Sequence, residues 1–147
     1  MRKPDLVIGP PAAPYMLRWQ LWKSRGGFQI CLHKILRSDD DRALHDHSGD
    51  NLSVILTAGY WEVLTHEWEP FRARFRWPLW PYFRKAETPH RLELASDGVP
   101  VWSLWFRWPP RSEWGFYCPK GWRHWRDYCV ERDYNAAGVS TVGVGCD

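Results

Sequence analysis

The sequence predicts an all-β fold, closed as a single barrel or sandwich, and three features carry that reading. Apolar residues recur at every second position through the middle of the chain, the alternating stretches are short, and Gly, Pro and Asp-Gly punctuation separates them. Phe28, Ile30 and Leu32 alternate with Gln29, Cys31 and His33, and Leu52, Val54 and Leu56 alternate with Ser53, Ile55 and Thr57. A period of two, not 3.6, sends successive side chains to opposite faces of a strand.

Taken in order, the elements follow from that pattern. Residues 1–14 hold Pro4, Pro10, Pro11 and Pro14 and no periodicity, so they read as an extended arm without an element. From about Gly27 strands begin, and the break at Ala58-Gly59 leads into another over Tyr60 to Leu64. Further strands are expected over Arg72 to Trp77, Tyr82 to Arg84, His90 to Leu94 and Val101 to Trp108. Pro78, Pro81, Ser96-Asp97-Gly98 and Pro109-Pro110 punctuate them. The barrel domain is expected over 15–134, with one short helix or an irregular stretch between Gly121 and Tyr134, and a Gly-rich tail over 135–147.

A chain of 147 residues, 44% of them hydrophobic, has room for one domain and one core. No apolar run is long enough to span a bilayer, and Met1-Arg2-Lys3-Pro4-Asp5 lacks the apolar stretch of a signal peptide. The expectation is a soluble, cytoplasmic protein with no membrane partner. Cys31, Cys118, Cys129 and Cys146 form no Cys-x-x-Cys pair, so all four are expected as reduced thiols.

A net charge of +3 gives no argument for nucleic acid as a partner. The basic residues are mostly arginine, and they adjoin several of the 12 tryptophans: Arg18-Trp19, Arg76-Trp77, Arg107-Trp108 and the run Trp122-Arg123-His124-Trp125-Arg126. Guanidinium planes stack on indoles, which accounts for such pairs as a surface cover for aromatics. The alternative is a pocket that offers stacking faces and anion clamps to a nucleotide-like or carboxylate ligand.

The strongest chemical signal is His45-Asp46-His47, joined downstream by His90 in Glu87-Thr88-Pro89-His90-Arg91-Leu92-Glu93-Leu94. Strand alternation points His45 and His47 to one face and Asp46 to the other. A third imidazole from a distant strand would complete a set that leaves metal positions open. His33, beside Cys31, is read as a buried histidine bonded to a carbonyl, His66 as a loop or strand-end residue, and His124 as surface. Asp39-Asp40-Asp41 reads as a turn whose carboxylates bond local amides. Asp50 and Glu93 are the nearest carboxylates, and parity turns Glu93 and Arg91 away from the face of His90.

These residues resemble the cupin superfamily. The stretch from His45 to Gly59 is similar to its first motif and Glu87 to Leu94 to its second. The runs from Leu36 to His47 and from Glu113 to Trp122 resemble small uncharacterised cupin-like proteins of bacterial and phage genomes. The resemblance covers the chain from about Tyr15 onward and implies a cupin-type barrel (a jelly roll, or double-stranded β-helix) and a metal site. Three positions depart from the pattern. Asn51 or Leu52 stands where the superfamily's glutamate falls, leaving a three-histidine site. Ser48-Gly49 replaces a Pro-Trp pair, which implies a more open mouth, and the glycine usual before His90 is missing.

Together these readings point to one divalent metal on His45, His47 and His90, with Fe(II) favoured and zinc or manganese fitting the same donors. The reaction class, an oxygenase or else a hydrolase or isomerase, is carried by analogy with the fold. The partner is a small anionic molecule, for which Arg107, Trp105, Asp50 and Asn51 are candidate contacts. The rival reading is a non-catalytic phage-type protein that captures a nucleotide or other anion in a Trp/Arg-lined barrel. Tryptophan content leaves room for a homodimer.

Overall fold

The structure is a computed structural model that describes residues 2–9, 12–39, 43–66, 69–128 and 146. A six-stranded antiparallel sheet runs in the order β1 (Leu6–Ile8), β2 (Met16–Lys23), β3 (Gln29–Ile35), β10 (Val101–Arg107), β5 (Asn51–Ile55) and β8 (Pro81–Arg84). Facing it are two three-stranded sheets. One is β7 (Ala73–Arg76), β6 (Tyr60–Val63) and β9 (Arg91–Leu94); the other is β12 (Gly121–His124), β11 (Gly115–Cys118) and β4 (Leu44–His45). A bridge between His45 and His90 joins them into one layer. α1 (Trp125–Tyr128) packs on β11 and β12. The architecture is an all-β jelly-roll barrel with one short C-terminal helix.

The interior changes character along the strands. At one end Met16, Ile35, Ile55 and Val101 from the large sheet meet Tyr60, Leu92 and Leu94 from the other layer in an apolar core. Fully burying an aliphatic side chain of this size contributes roughly 1.5 to 3 kcal/mol. Two residues further along the same inward faces, polar groups take over. Arg18 and Ser103 flank His33, then Ser53 and Cys31 flank Trp105, then Asn51 stands between Arg107 and Arg84. The face of β5 that points inward is therefore Asn51, Ser53 and Ile55, and Leu52 and Val54 point out. One barrel end is an apolar core and the other has a polar interior.

Two expectations about the N-terminal third are corrected. The arm over 1–14 contains a strand, β1, because Leu6, Val7 and Ile8 pair with Arg18, Leu17 and Met16. The first long strand begins at Met16, ahead of the start expected near Gly27. Trp19 and Trp102 stack at 5.5 Å on the outer face of the large sheet, and the Trp19 indole donates to the Arg2 carbonyl at 2.9 Å, so the arm covers them.

The cysteine expectation is also corrected. Cys118 and Cys146 form a disulfide. β11 carries Cys118 into a small apolar cluster with Ala43, Phe116 and Tyr128, against which Cys146 packs. Their spacing in the sequence holds no trace of that meeting. Cys31 is a free, buried thiol, and burial raises its pKa. Cys129, and the expected tail apart from Cys146, lie outside the described residues. Among the described residues no helix is long and apolar enough to cross a membrane.

Glu62 is fully buried on β6, where the Arg84 and Arg76 guanidiniums both bind its carboxylate. Removing one member of such a group strands the remaining charge in low dielectric. Glu62→Gln is expected to cost about 3 to 5 kcal/mol in urea unfolding. Glu93→Gln removes the half-exposed pair with Arg91, where solvent still screens both charges, and should cost about 1 kcal/mol or less. Equal losses in the two variants would contradict this account.

Candidate metal centre

The first two histidines stand at the end of β4, where the chain leaves the sheet. His45 and His90 exchange reciprocal backbone hydrogen bonds of 3.0 Å, and the His47 amide donates to the Ala86 carbonyl at 2.9 Å. Alternation survives beyond the strand. The Asp46 carboxylate turns outward to accept from the Gly115 amide at 2.7 Å, the Trp122 indole at 3.1 Å and the Tyr117 hydroxyl at 3.2 Å. Asp46 thereby anchors the segment while its two neighbours point in.

The three imidazoles converge. One nitrogen from each of His45, His47 and His90 lies within 4.8 Å of the others, close enough for small side-chain rotations to bring all three to one ion. The Nε2 atoms of His47 and His90 are 3.3 Å apart. Two nitrogens on one first-row ion at about 2.0 to 2.1 Å, at octahedral or tetrahedral angles, stand roughly 2.8 to 3.4 Å apart. The donor set fits a divalent metal.

Neighbours orient the rings. The Thr88 carbonyl lies 3.0 Å from His90 Nδ1, so that nitrogen carries the proton and Nε2 presents its lone pair. His45 Nδ1 faces the Asp39 carboxylate at 3.7 Å, and that carboxylate also accepts from the Leu92 amide at 3.4 Å. Asp40 and Asp41 lie outside the described residues. His90 is buried, whereas His45 and His47 keep partial exposure, so the cluster has an open side.

The departures from the cupin pattern have local explanations. No residue from Lys85 to Pro89 adopts a positive φ, and Thr88 donates to the Lys85 carbonyl at 3.1 Å, so that turn needs no glycine. The space a side chain at Gly49 would fill is taken by the Trp108 and Pro109 carbonyls, the nearer 2.7 Å from an ideal Cβ. The Ser48 carbonyl accepts from the Arg111 and Ser112 amides. Gly49 is therefore packed closely against backbone, with no room for a larger residue.

Of the candidate ligand contacts, Trp105 is buried with its ring 6.2 Å from that of His47. Arg107 donates from Nη1 to Ser48 Oγ at 3.1 Å, and Asn51 is fully buried beside it. Asp50 is engaged elsewhere, by the Ala86 amide at 2.8 Å and Arg111 at 2.6 Å. Arg91 pairs with Glu93 away from the cluster. His66 and His124 stand outside it, His66 in a turn closed by Glu69 and His124 against Glu113. A shallow cleft of about 400 Å³ lined by Trp61, Leu64, Phe71 and Arg72 contains none of the histidines.

Sequence reasoning paired Arg18 with its neighbour Trp19, missing its inward position, and misassigned the partner of His33. Arg18 donates from Nε to His33 Nε2 at 2.9 Å and stacks over Trp105 at 5.0 Å. Its sequence neighbour Trp19 points the other way. Reading Met16 to Lys23 as a strand would have placed Arg18 on the inward face of Met16.

Burial, then the positive groups around them, hold the pKa values of His33, His47 and His90 well below the ordinary 6.5. The folded protein thus refuses protons that the unfolded chain accepts, and stability is full above about pH 6.5 and falls as pH drops below it. The slope is at most about 1.4 kcal/mol per histidine per pH unit. Urea midpoints of chelator-treated protein should decline from pH 7 to pH 5; a midpoint unchanged over that range would contradict neutral burial.

No protein-family model and no curated protein matches this sequence. Several solved structures match its fold. The hydroxypropylphosphonic acid epoxidase of S. wedmorenis is 14% identical, with a TM-score of 0.54 over 64% of this chain and 51% of its own. An Fe(II) form of HppE with substrate is 13% identical, with a TM-score of 0.58 over 74% of this chain and 59% of its own. An RmlC-like cupin protein from Ralstonia eutropha is 16% identical, with a TM-score of 0.53 over 76% of this chain and 68% of its own. The chain spans about half the length of the epoxidase it matches. At these identities the likeness is one of fold alone: the chain folds as a jelly-roll barrel of the kind these cupin proteins share.

Proposed function

We propose that this protein binds one divalent metal through His45, His47 and His90 and acts there on a small anionic metabolite. The observation that carries the reading is the convergence of three imidazole nitrogens on the open side of a polar pocket. When bound, the ion supplies Lewis acidity and vacant positions for a chelating ligand; Fe(II) is the preferred identity, and an oxygenase-type reaction the preferred class. Zinc or manganese would suit the same nitrogens for hydrolysis or isomerisation.

The chain's own residues prepare the pocket. The Thr88 carbonyl and the Asp39 carboxylate hold His90 and His45 in orientation. Trp105 walls the pocket beside His47 and excludes water from one side. Arg84 is already matched by Glu62 and is not offered to a ligand, whereas Arg107 stands at the pocket and can orient an anion. Asn51 stands near the position of the superfamily's glutamate and provides a neutral amide, so the donor set has three histidines and no carboxylate.

Stacking of Arg18 and Arg107 against Trp105 favours one further reading, capture of a nucleotide or other anion without turnover. Metal analysis of protein purified without a metal-binding tag separates the two. The expected result is about one equivalent of metal per chain, lost in His47→Ala and accompanied by a lower Tm after chelation. Protein that neither carries nor takes up Fe(II), Zn or Mn, but co-purifies with a nucleotide, would replace the enzyme with the binder.

A further inference from the structure

The basic residues near the pocket fall into two groups. Arg76 and Arg84 share Glu62, and Arg111 has Asp50 and Glu87. Arg18 and Arg107 are different. Both stack on Trp105, with guanidinium carbons 5.0 and 6.0 Å from the ring, and among the described residues neither reaches a carboxylate. Arg18 donates to a neutral imidazole and Arg107 to a hydroxyl.

Two buried donors close by also lack an acceptor among the described residues, Arg107 Nε and Asn51 Nδ2. These residues are direct cross-strand partners on β10 and β5, so both side chains rise from the same inward face. The amide orientation of Asn51 is set by its other end, because Oδ1 accepts from Arg84 Nη1 at 3.4 Å. A buried donor without an acceptor is costly, and an unneutralised pair of like charges more so. Two cations and two orphaned donors around one aromatic wall share a single deficiency, an acceptor with negative charge.

We propose that Arg18, Arg107 and Asn51 form an oxyanion subsite against Trp105, which receives a carboxylate or phosphoryl group of the ligand while the rest of the ligand extends toward the histidines. The subsite lies in the pocket of the proposed function and deepens it by naming a group the ligand carries. It rests on the orphaned donors and not on the metal. Arg18 is shaped for this role by His33, whose Nε2 fixes the guanidinium through Nε and leaves its terminal nitrogens to the anion.

The test is calorimetric titration of the full-length protein with inorganic phosphate and, separately, with acetate, with metal content measured on each sample. Saturable binding of at least one anion is expected, weakened about ten- to hundred-fold in Arg18→Gln and in Arg107→Gln at unchanged metal content. Arg111→Gln, outside the subsite, should bind as the parent does. Arg18→Lys keeps the charge but loses the fork, and guards against misfolding of the glutamine variant; its affinity should fall between the two. His47→Ala distinguishes the two readings. Loss of metal with anion binding retained supports the subsite even where the metal reading fails. No binding of either anion, or binding lost in His47→Ala but kept in both arginine variants, would overturn the subsite and assign anion attraction to the metal.

Discussion

The two backbone hydrogen bonds between His45 and His90 are the constraint on which the site depends. They join two otherwise separate three-stranded sheets into one layer, and they set two of the three imidazoles in register across the junction. Everything that holds this junction serves the same purpose. Asp46 ties the outward side to Gly115, Tyr117 and Trp122, Ala86 takes the His47 amide, and Asp39 and Ser38 bond the backbone of β9. Closing the barrel and assembling the histidines are one event, because two of the three converging histidines form the bridge that closes it.

A second theme is how the interior handles charge. Burial of an arginine is tolerable when a carboxylate shares the low dielectric, and Glu62 does this for Arg76 and Arg84. Glu62 lies on β6, one layer away from Arg84 on β8, so the ion group also links the two faces of the barrel. Arg18 and Arg107 have aromatic and neutral partners instead. The barrel is thus neutralised on one side of the pocket and left positive on the other. This asymmetry is the electrostatic setting in which an anionic ligand gains most.

The fold was legible wherever alternation was clean. The strands over 29–35, 51–55, 60–63 and 101–107 lie where the period of two put them, because a half-buried strand must alternate. Elements whose inward faces carry mixed chemistry were missed. β2 presents Met16 and Arg18 inward, β11 and β12 are four residues each, and β1 is three. In β5 the alternation was legible but its direction was not: Leu52 and Val54 face outward, and Asn51, Ser53 and Ile55 face in. A pocket inverts the usual pattern, since the residues that serve a ligand are polar and face in.

What the sequence by itself determined is therefore local. Spacing of His45 and His47 decided that two imidazoles share a face, and strand periodicity decided the all-β class, since both depend only on backbone geometry over a few residues. Tertiary structure alone decided the rest. It brought His90 to within 3.3 Å of His47, paired Cys118 with Cys146, and chose Trp105 over the adjacent Trp19 as the partner of Arg18. Neighbours in a strand point to opposite faces, so contacts that define a pocket are made across strands. Their identity is set by register and sheet order, which no short-range pattern in the chain records.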